Sequence, residues 1–207
     1  IGTEILFWVD IIEDCINRTK EKFIEIELGP NPYHFILESN NDKIYAINEI
    51  KSFCKSVNYK NKDTIIDQVI IKTKIKPSEE SSSNYKKMSW KQLKEIHENS
   101  LFLVGGHSTL HNILSFQPKE DMKDDIIKSI KLLEDNLNTT IKHYSYPEGQ
   151  AIHYNNHVKK ILKSQGIKCC PSAIPGINNS NTDLFELRRI MVGFWGIPLP
   201  FLDKNFR

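Results

Sequence analysis

Two hydrophobic periods alternate along this chain, and the switches between them mark its elements. Residues 5–18 are apolar with charged interruptions and predict a helix carrying Phe7, Trp8, Ile11, Ile12 and Cys15. Residues 22–38 predict a hairpin. Ile24, Ile26 and Leu28 alternate with Phe23, Glu25 and Glu27, Gly29-Pro30-Asn31-Pro32 supplies the turn, and Tyr33 to Leu37 returns. Apolar residues at three- and four-residue steps predict helices over 41–56 and 62–74. Pro77 to Asn84 is Ser-rich and nearly free of apolar residues, a linker. Ser89 with Gln92 fits a capping box for a helix from Trp90 to about Glu98. Leu101 to Val104 is a short apolar run of the kind a buried parallel strand shows. Met122, Ile126, Ile127, Ile130, Leu133 and Leu137 place an amphipathic helix over 121–137. A strand follows at Ile141 to Tyr146, a second amphipathic helix at 152–165, and a strand at Ile167 to Ala173 after the helix-ending Gly166. Regular alternation of helix and strand predicts an α/β architecture with parallel strands.

Composition narrows the function classes. Of the 207 residues 39% are hydrophobic, enough to fill a core. Lys and Arg number 28 against 26 Asp and Glu, a balance that argues against a dedicated nucleic-acid or membrane-surface binder. No apolar run is long enough to span a bilayer. Cys15, Cys54, Cys169 and Cys170 lack zinc-ribbon or CxxC spacing and read as reduced thiols. No secretory signal is visible after Ile1, so a cytoplasmic location is the expectation, although Ile1 is not an initiator Met.

Parallel sheets place ligands at the carboxyl ends of their strands. There the run Leu101 to Val104 enters Gly105-Gly106-His107-Ser108-Thr109-Leu110-His111, where two glycines allow a sharp turn. If the residues from Ser108 are helical, His107 and His111 share one face and can converge on a metal ion. A satisfied polar pair is the competing reading. His153 and His157 repeat the spacing inside a predicted amphipathic helix and read as surface residues, while His34, His97 and His143 read as structural. The next strand ends in Tyr146-Pro147-Glu148-Gly149, a turn whose backbone N–H groups can face the same cleft and suit a developing oxyanion.

Met88-Ser89-Trp90-Lys91-Gln92-Leu93, the segment from Gly105 to His111, and Tyr144-Ser145-Tyr146-Pro147-Glu148-Gly149 together resemble the polysaccharide deacetylases of the NodB-homology family, carbohydrate esterase family four. The His-(Ser/Thr)-x-x-His motif of that family matches His107 to His111, and its Phe/Tyr-x-Tyr-Pro-x-Gly motif matches Tyr144 to Gly149. Thr182-Asp183 through Arg189-Ile190 is similar to a segment of one branch. The resemblance covers about residues 86–192. It implies a distorted (β/α) barrel, present here in part, with residues 1–85 as a helical and hairpin insertion and 86–207 as the barrel portion. It implies hydrolysis of N-acetyl groups from amino sugars of a polysaccharide, with a divalent metal, commonly zinc, held by two His and one Asp while a second Asp is the base. By that resemblance His107 and His111 are metal ligands. The backbone at Tyr146, Pro147 and Glu148 serves substrate or oxyanion, and Arg189 orients an acid.

The departures set further expectations. The family's Thr-Phe-Asp-Asp-Gly segment does not occur in this chain, and Asp10, Glu13, Asp14 and Asp124-Asp125 fall in predicted helices. Glu148 replaces an aromatic residue, and no His follows His157 to supply the family's late acid. The catalytic carboxylates are therefore unassigned, and the chain reads as one that begins after the Asp-Asp strand. Such a chain is expected to release no acetate alone, to bind zinc weakly, and to associate through an exposed sheet edge. The alternative is a non-catalytic carbohydrate-binding or assembly module; a structural zinc domain ranks last for want of a four-ligand set.

Overall fold

The structure, a computed structural model, describes residue 1, residues 6–30 and residues 32–190. Ile5 at the predicted start of the first helix, Asn31 of the predicted turn, and residues 191–207 of the barrel portion lie outside the described residues.

The first half of the chain packs three helices on a hairpin. Helix α1 (Trp8–Arg18) is followed by β1 (Phe23–Glu27) and β2 (Pro32–Ile36), antiparallel with Ile24 opposite Phe35 and Ile26 opposite Tyr33. Helix α2 (Asn40–Cys54) starts at a capping box of Ser39 and Asp42, and α3 (Tyr59–Thr73) starts where the Asn58 side chain accepts from Asn61 N–H. Their apolar stripes close one core: Ile12, Cys15 and Ile16 from α1, Ile24, Ile26 and Phe35 from the hairpin, Ala46 and Ile50 from α2, Ile65 and Val69 from α3. The linker folds into two short 3-10 turns (Glu79–Ser81 and Ser83–Tyr85), pinned where buried Asp14 accepts from Ser78 N–H and Ser81 Oγ.

The second half builds a separate core. Helix α4 (Trp90–Glu98) carries the expected Ser89–Gln92 capping box. Helix α5 (Lys119–Leu137) and α6 (Asn156–Ser164) pack Met122, Ile126, Ile130, Leu133, Val158 and Leu162 against Tyr144 and Tyr146. The polar framework is parallel throughout. Gly106 N–H donates to His143 O and Ser145 N–H to Gly106 O; Tyr144 N–H donates to Cys169 O; Cys170 N–H donates to Leu184 O. Strand β3 (Pro171–Pro175) then pairs in parallel with β4 (Leu187–Arg189). Four parallel segments thus lie in chain order, with α5 and α6 as crossovers. This is α/β organisation, and among the described residues the segments do not close into a barrel.

Three expectations need correction. Leu101 to Val104 is not a buried strand, because its first amides turn back to Asn99, whose Oδ1 accepts from Leu101 N–H and whose carbonyl accepts from Phe102 N–H. Pairing begins only at Gly106, and Leu101 and Leu103 stay 85% and 81% exposed. The span Ile141 to Tyr146 is a central segment with single bridges at His143 and Tyr144 rather than a long strand. The second amphipathic helix starts at Asn156, not 152, because the Asn155 side chain accepts from His157 and Val158 N–H and ends the preceding turn.

Candidate metal and substrate loops

His107 and His111 do come together, but not on a helix. Residues 107–113 are an irregular loop, and the two imidazole centroids lie 4.8 Å apart, edge to face. The loop reverses through left-handed backbone at Ser108 (φ 61°) and His111 (φ 55°). Gly105 and Gly106 serve close approach rather than a turn. A Cβ on Gly106 would lie 2.5 Å from Tyr144 Cδ2, and one on Gly105 would lie 2.8 Å from His143 O.

Four residues of the loop, His107, Ser108, Thr109 and Asn112, are anchored from three elements. His107 Nδ1 lies 2.8 Å from Ser145 O. Ser108 N–H donates to the buried Tyr144 hydroxyl at 2.7 Å. Thr109 gives both its N–H (2.7 Å) and its hydroxyl (2.6 Å) to Asp125 Oδ1 on α5. Buried Asn112 accepts from the Lys62 ammonium, which sits 5.5 Å from the Trp8 ring centroid.

The second loop follows the adjacent parallel segment. Gly149 N–H donates to Pro147 O at 2.7 Å, a three-residue turn centred on Glu148 at φ 58°. Gly149 itself has φ 70°, and a Cβ there would meet Ala173 N at 2.8 Å. Glu148 Oε2 pairs with Lys55 at 3.2 Å. Among the described residues five non-glycine residues have positive φ. Lys74 and Asn138 end helices; the other three, Ser108, His111 and Glu148, all lie in these two loops. Such backbone costs of order 1–3 kcal/mol per residue and collects where function holds it.

Hydrogen bonding and burial set the state of the two rings differently. A carbonyl only accepts, so His107 Nδ1 carries the proton it gives to Ser145 O, and Nε2 is the ring nitrogen that can offer a lone pair to a cation. Burial, then the neighbouring His107, pushes His111 below the usual imidazole range. Ser108 Oγ, in the same loop, is buried with no partner among the described residues. These features fit two nitrogen ligands of a borderline-soft divalent cation. No third His, Cys, Asp or Glu joins them among the described residues.

The other expected residues are placed as follows. The Tyr146 side chain is a core tether: it stacks on Tyr154 at 4.1 Å and its hydroxyl donates to Phe185 O, so only its backbone faces the loop question. Burial pushes its phenol far above the usual range. Pro147 and Glu148 form the turn beside the imidazole loop, and Lys55, Glu148 and His111 line one small cleft. Arg189 is exposed, its Nε donates to Ser172 O at 2.5 Å, and it makes no ion pair among the described residues. His153, expected at the surface, is buried at 8% in the turn before α6, where its Nδ1 accepts from Gln150 N–H. His143 meets a partner the sequence did not suggest, Cys169 Sγ at 3.1 Å. Lys62 was missed, and Asp125, set aside with Asp124 as a helix residue, turns out to hold Thr109; an acid and a lysine at buried positions of amphipathic helices were the available signal.

Against this geometry stands one sequence comparison that decides the family. The family model for polysaccharide deacetylase matches residues 65–170, just over half of the 207. The chain belongs to the polysaccharide deacetylase family. The match to that family takes in the imidazole loop and the Tyr-Pro-Glu-Gly turn. Three solved structures are similar. The Streptococcus pyogenes deacetylase PplD in complex with acetate is 23% identical, TM-score 0.47, over 54% of this chain and 47% of that one. The BpsB deacetylase domain from Bordetella bronchiseptica is 20% identical, TM-score 0.45, over 49% and 48%. IcaB from Ammonifex degensii is 21% identical, TM-score 0.45, over 53% and 50%. The chain spans about half the length of each. No curated protein matches the sequence.

Proposed function

We propose that this chain carries the imidazole side of a metal-dependent deacetylase site that hydrolyses N-acetyl groups on amino sugars of a polysaccharide, within a partial (β/α) barrel. The observation that carries the reading is the paired loop. His107 and His111 are adjacent, one held by Ser145 O and the other pushed below the usual imidazole range by burial, and beside them lies a strained turn at Glu148. His107 Nε2 and the His111 ring would hold two positions of a divalent cation, most simply zinc. That cation would polarise an amide carbonyl and make hydroxide available near neutral pH. The chain's own contribution is orientation. Asp125 and Tyr144 hold the loop backbone from the helical core. In the turn Pro147 has no N–H and the Gly149 N–H is spent on Pro147 O, so the Glu148 N–H is the donor that would serve an acyl oxygen gaining charge.

A catalytic zinc ordinarily takes three protein ligands, and two converge among the described residues. The expected result for the isolated chain is therefore weak zinc binding and no acetate from chitin-type oligomers. Titration calorimetry with zinc tests this, on the parent and on His107→Ala and His111→Ala. Binding that survives unchanged in both variants overturns the reading, as does zinc-independent acetate release.

A further inference from the structure

Helix α3 buries an unusual residue on its apolar stripe. Lys62 precedes Ile65, Ile66 and Val69 at three, four and seven residues, so it shares their face and is only 6% exposed. A buried ammonium must find an acceptor, or folding pays its desolvation. Here it reaches across from the first core to the second: Nζ donates to Asn112 Oδ1 and rests over the Trp8 ring. Asn112 is itself 8% exposed, and it directly follows His111.

The anchors already described reach His107, Ser108 and Thr109 from the parallel segments and α5. The C-terminal end of the loop, where His111 takes its left-handed backbone, is gripped from the other core through Asn112. A second tie from the same side, Lys55 to Glu148, is half in solvent and worth correspondingly little.

We propose that Lys62 is a positioning residue for the imidazole pair: its buried ammonium, through Asn112, holds His111 against His107. The helical and hairpin segment is then a structural arm of the site, not only a neighbour of it. This rests on the metal-site reading for its purpose, but the positioning itself is testable without metal.

The experiment replaces both partners by apolar groups of similar size, Lys62→Met with Asn112→Leu, so that no polar atom is stranded and the core stays filled. Asn112→Asp keeps an acceptor for the ammonium and serves as the rescue. In the metal-free chain, rings 4.8 Å apart give a proton–proton Overhauser contact between His107 and His111. That contact is expected in the parent and in Asn112→Asp, and lost or broadened in the double variant while its melting temperature stays close to the parent's. Cobalt affinity is expected to fall about tenfold or more in the double variant, and to hold in Asn112→Asp. A double variant that keeps the ring contact overturns the proposal. Should the double variant fail to fold, Asn112→Ser shortens the acceptor without touching α3, and an unchanged ring contact there overturns it equally. A parent that binds no cobalt defeats the metal reading, while the ring contact still judges Lys62.

Discussion

Replacing Tyr144 by Phe tests whether the core beneath the site holds the loop above it. Tyr144 is 1% exposed, and its hydroxyl accepts from Ser108 N–H at 2.7 Å. Phe keeps the ring and its packing, so the loss is polar. Ser129 Oγ, 3.3 Å away, retains its bond to Ile126 O and is not stranded. Ser108 N–H is left facing an apolar edge, and an unpaired buried donor costs about 1–3 kcal/mol. At about 2–4 °C per kcal/mol for a chain of this size, the melting temperature falls by about 2–12 °C. Because the strain at Ser108 (φ 61°) then has one restraint fewer, its amide should exchange about five- to a hundredfold faster with solvent deuterium. A melting temperature within about 1 °C of the parent, with Ser108 exchange unchanged, would refute the claim that Tyr144 holds this loop.

The remaining expectations use other parts of the fold. Gly106→Ala drives a Cβ to 2.5 Å from the immobile Tyr144 ring and should cost about 1–3 kcal/mol, whereas Gly166→Ala meets open space and pays only for its φ of 81°, about 1 kcal/mol; urea denaturation ranks the two. Burial pushes the Cys15 thiol up to about 11 and those of Cys54 and Cys170 up to about 12, while Cys169 is half-buried, so mass spectrometry after iodoacetamide at pH 8 should find Cys169 labelled first. The three raised thiols stay protonated in the folded chain while unfolded thiols ionise near pH 9; the stability they contribute is complete below about pH 9 and is lost as pH rises toward 12, visible as earlier melting on alkaline titration. Asp14→Ala removes the acceptor for Ser78 and Ser81, and limited proteolysis should then cut within residues 77–84 before any other segment.

What the sequence made legible was local. The Ser89–Gln92 box starts α4 because a cap is decided within four residues, and the hairpin alternation survives because one face of β1 is buried. The His107–His111 pairing was legible as spacing, yet the helix expected to produce it is a loop held by three separate elements, the segment of Tyr144 and Ser145, α5 and α3. Leu101 to Val104 misled because an apolar run makes a buried strand only where a neighbour receives it, and Asn99 took its first amides instead. Lys62 and Asp125 were illegible for the same reason: their partners, Asn112 and Thr109, lie 50 and 16 residues away in the chain.

The two cores meet across a polar seam, tied by Lys55 to Glu148, Tyr59 to Asp121 and Lys62 to Asn112. Parting the seam alone leaves both apolar clusters closed, and sensitivity to denaturant scales with the surface exposed. Two classes of protection follow. Amides inside either core should lose protection steeply as urea is added, since they exchange only when a whole core opens. Amides of the His111 loop should exchange through seam opening, at a rate nearly flat in urea, so the site can breathe at concentrations that leave both cores intact.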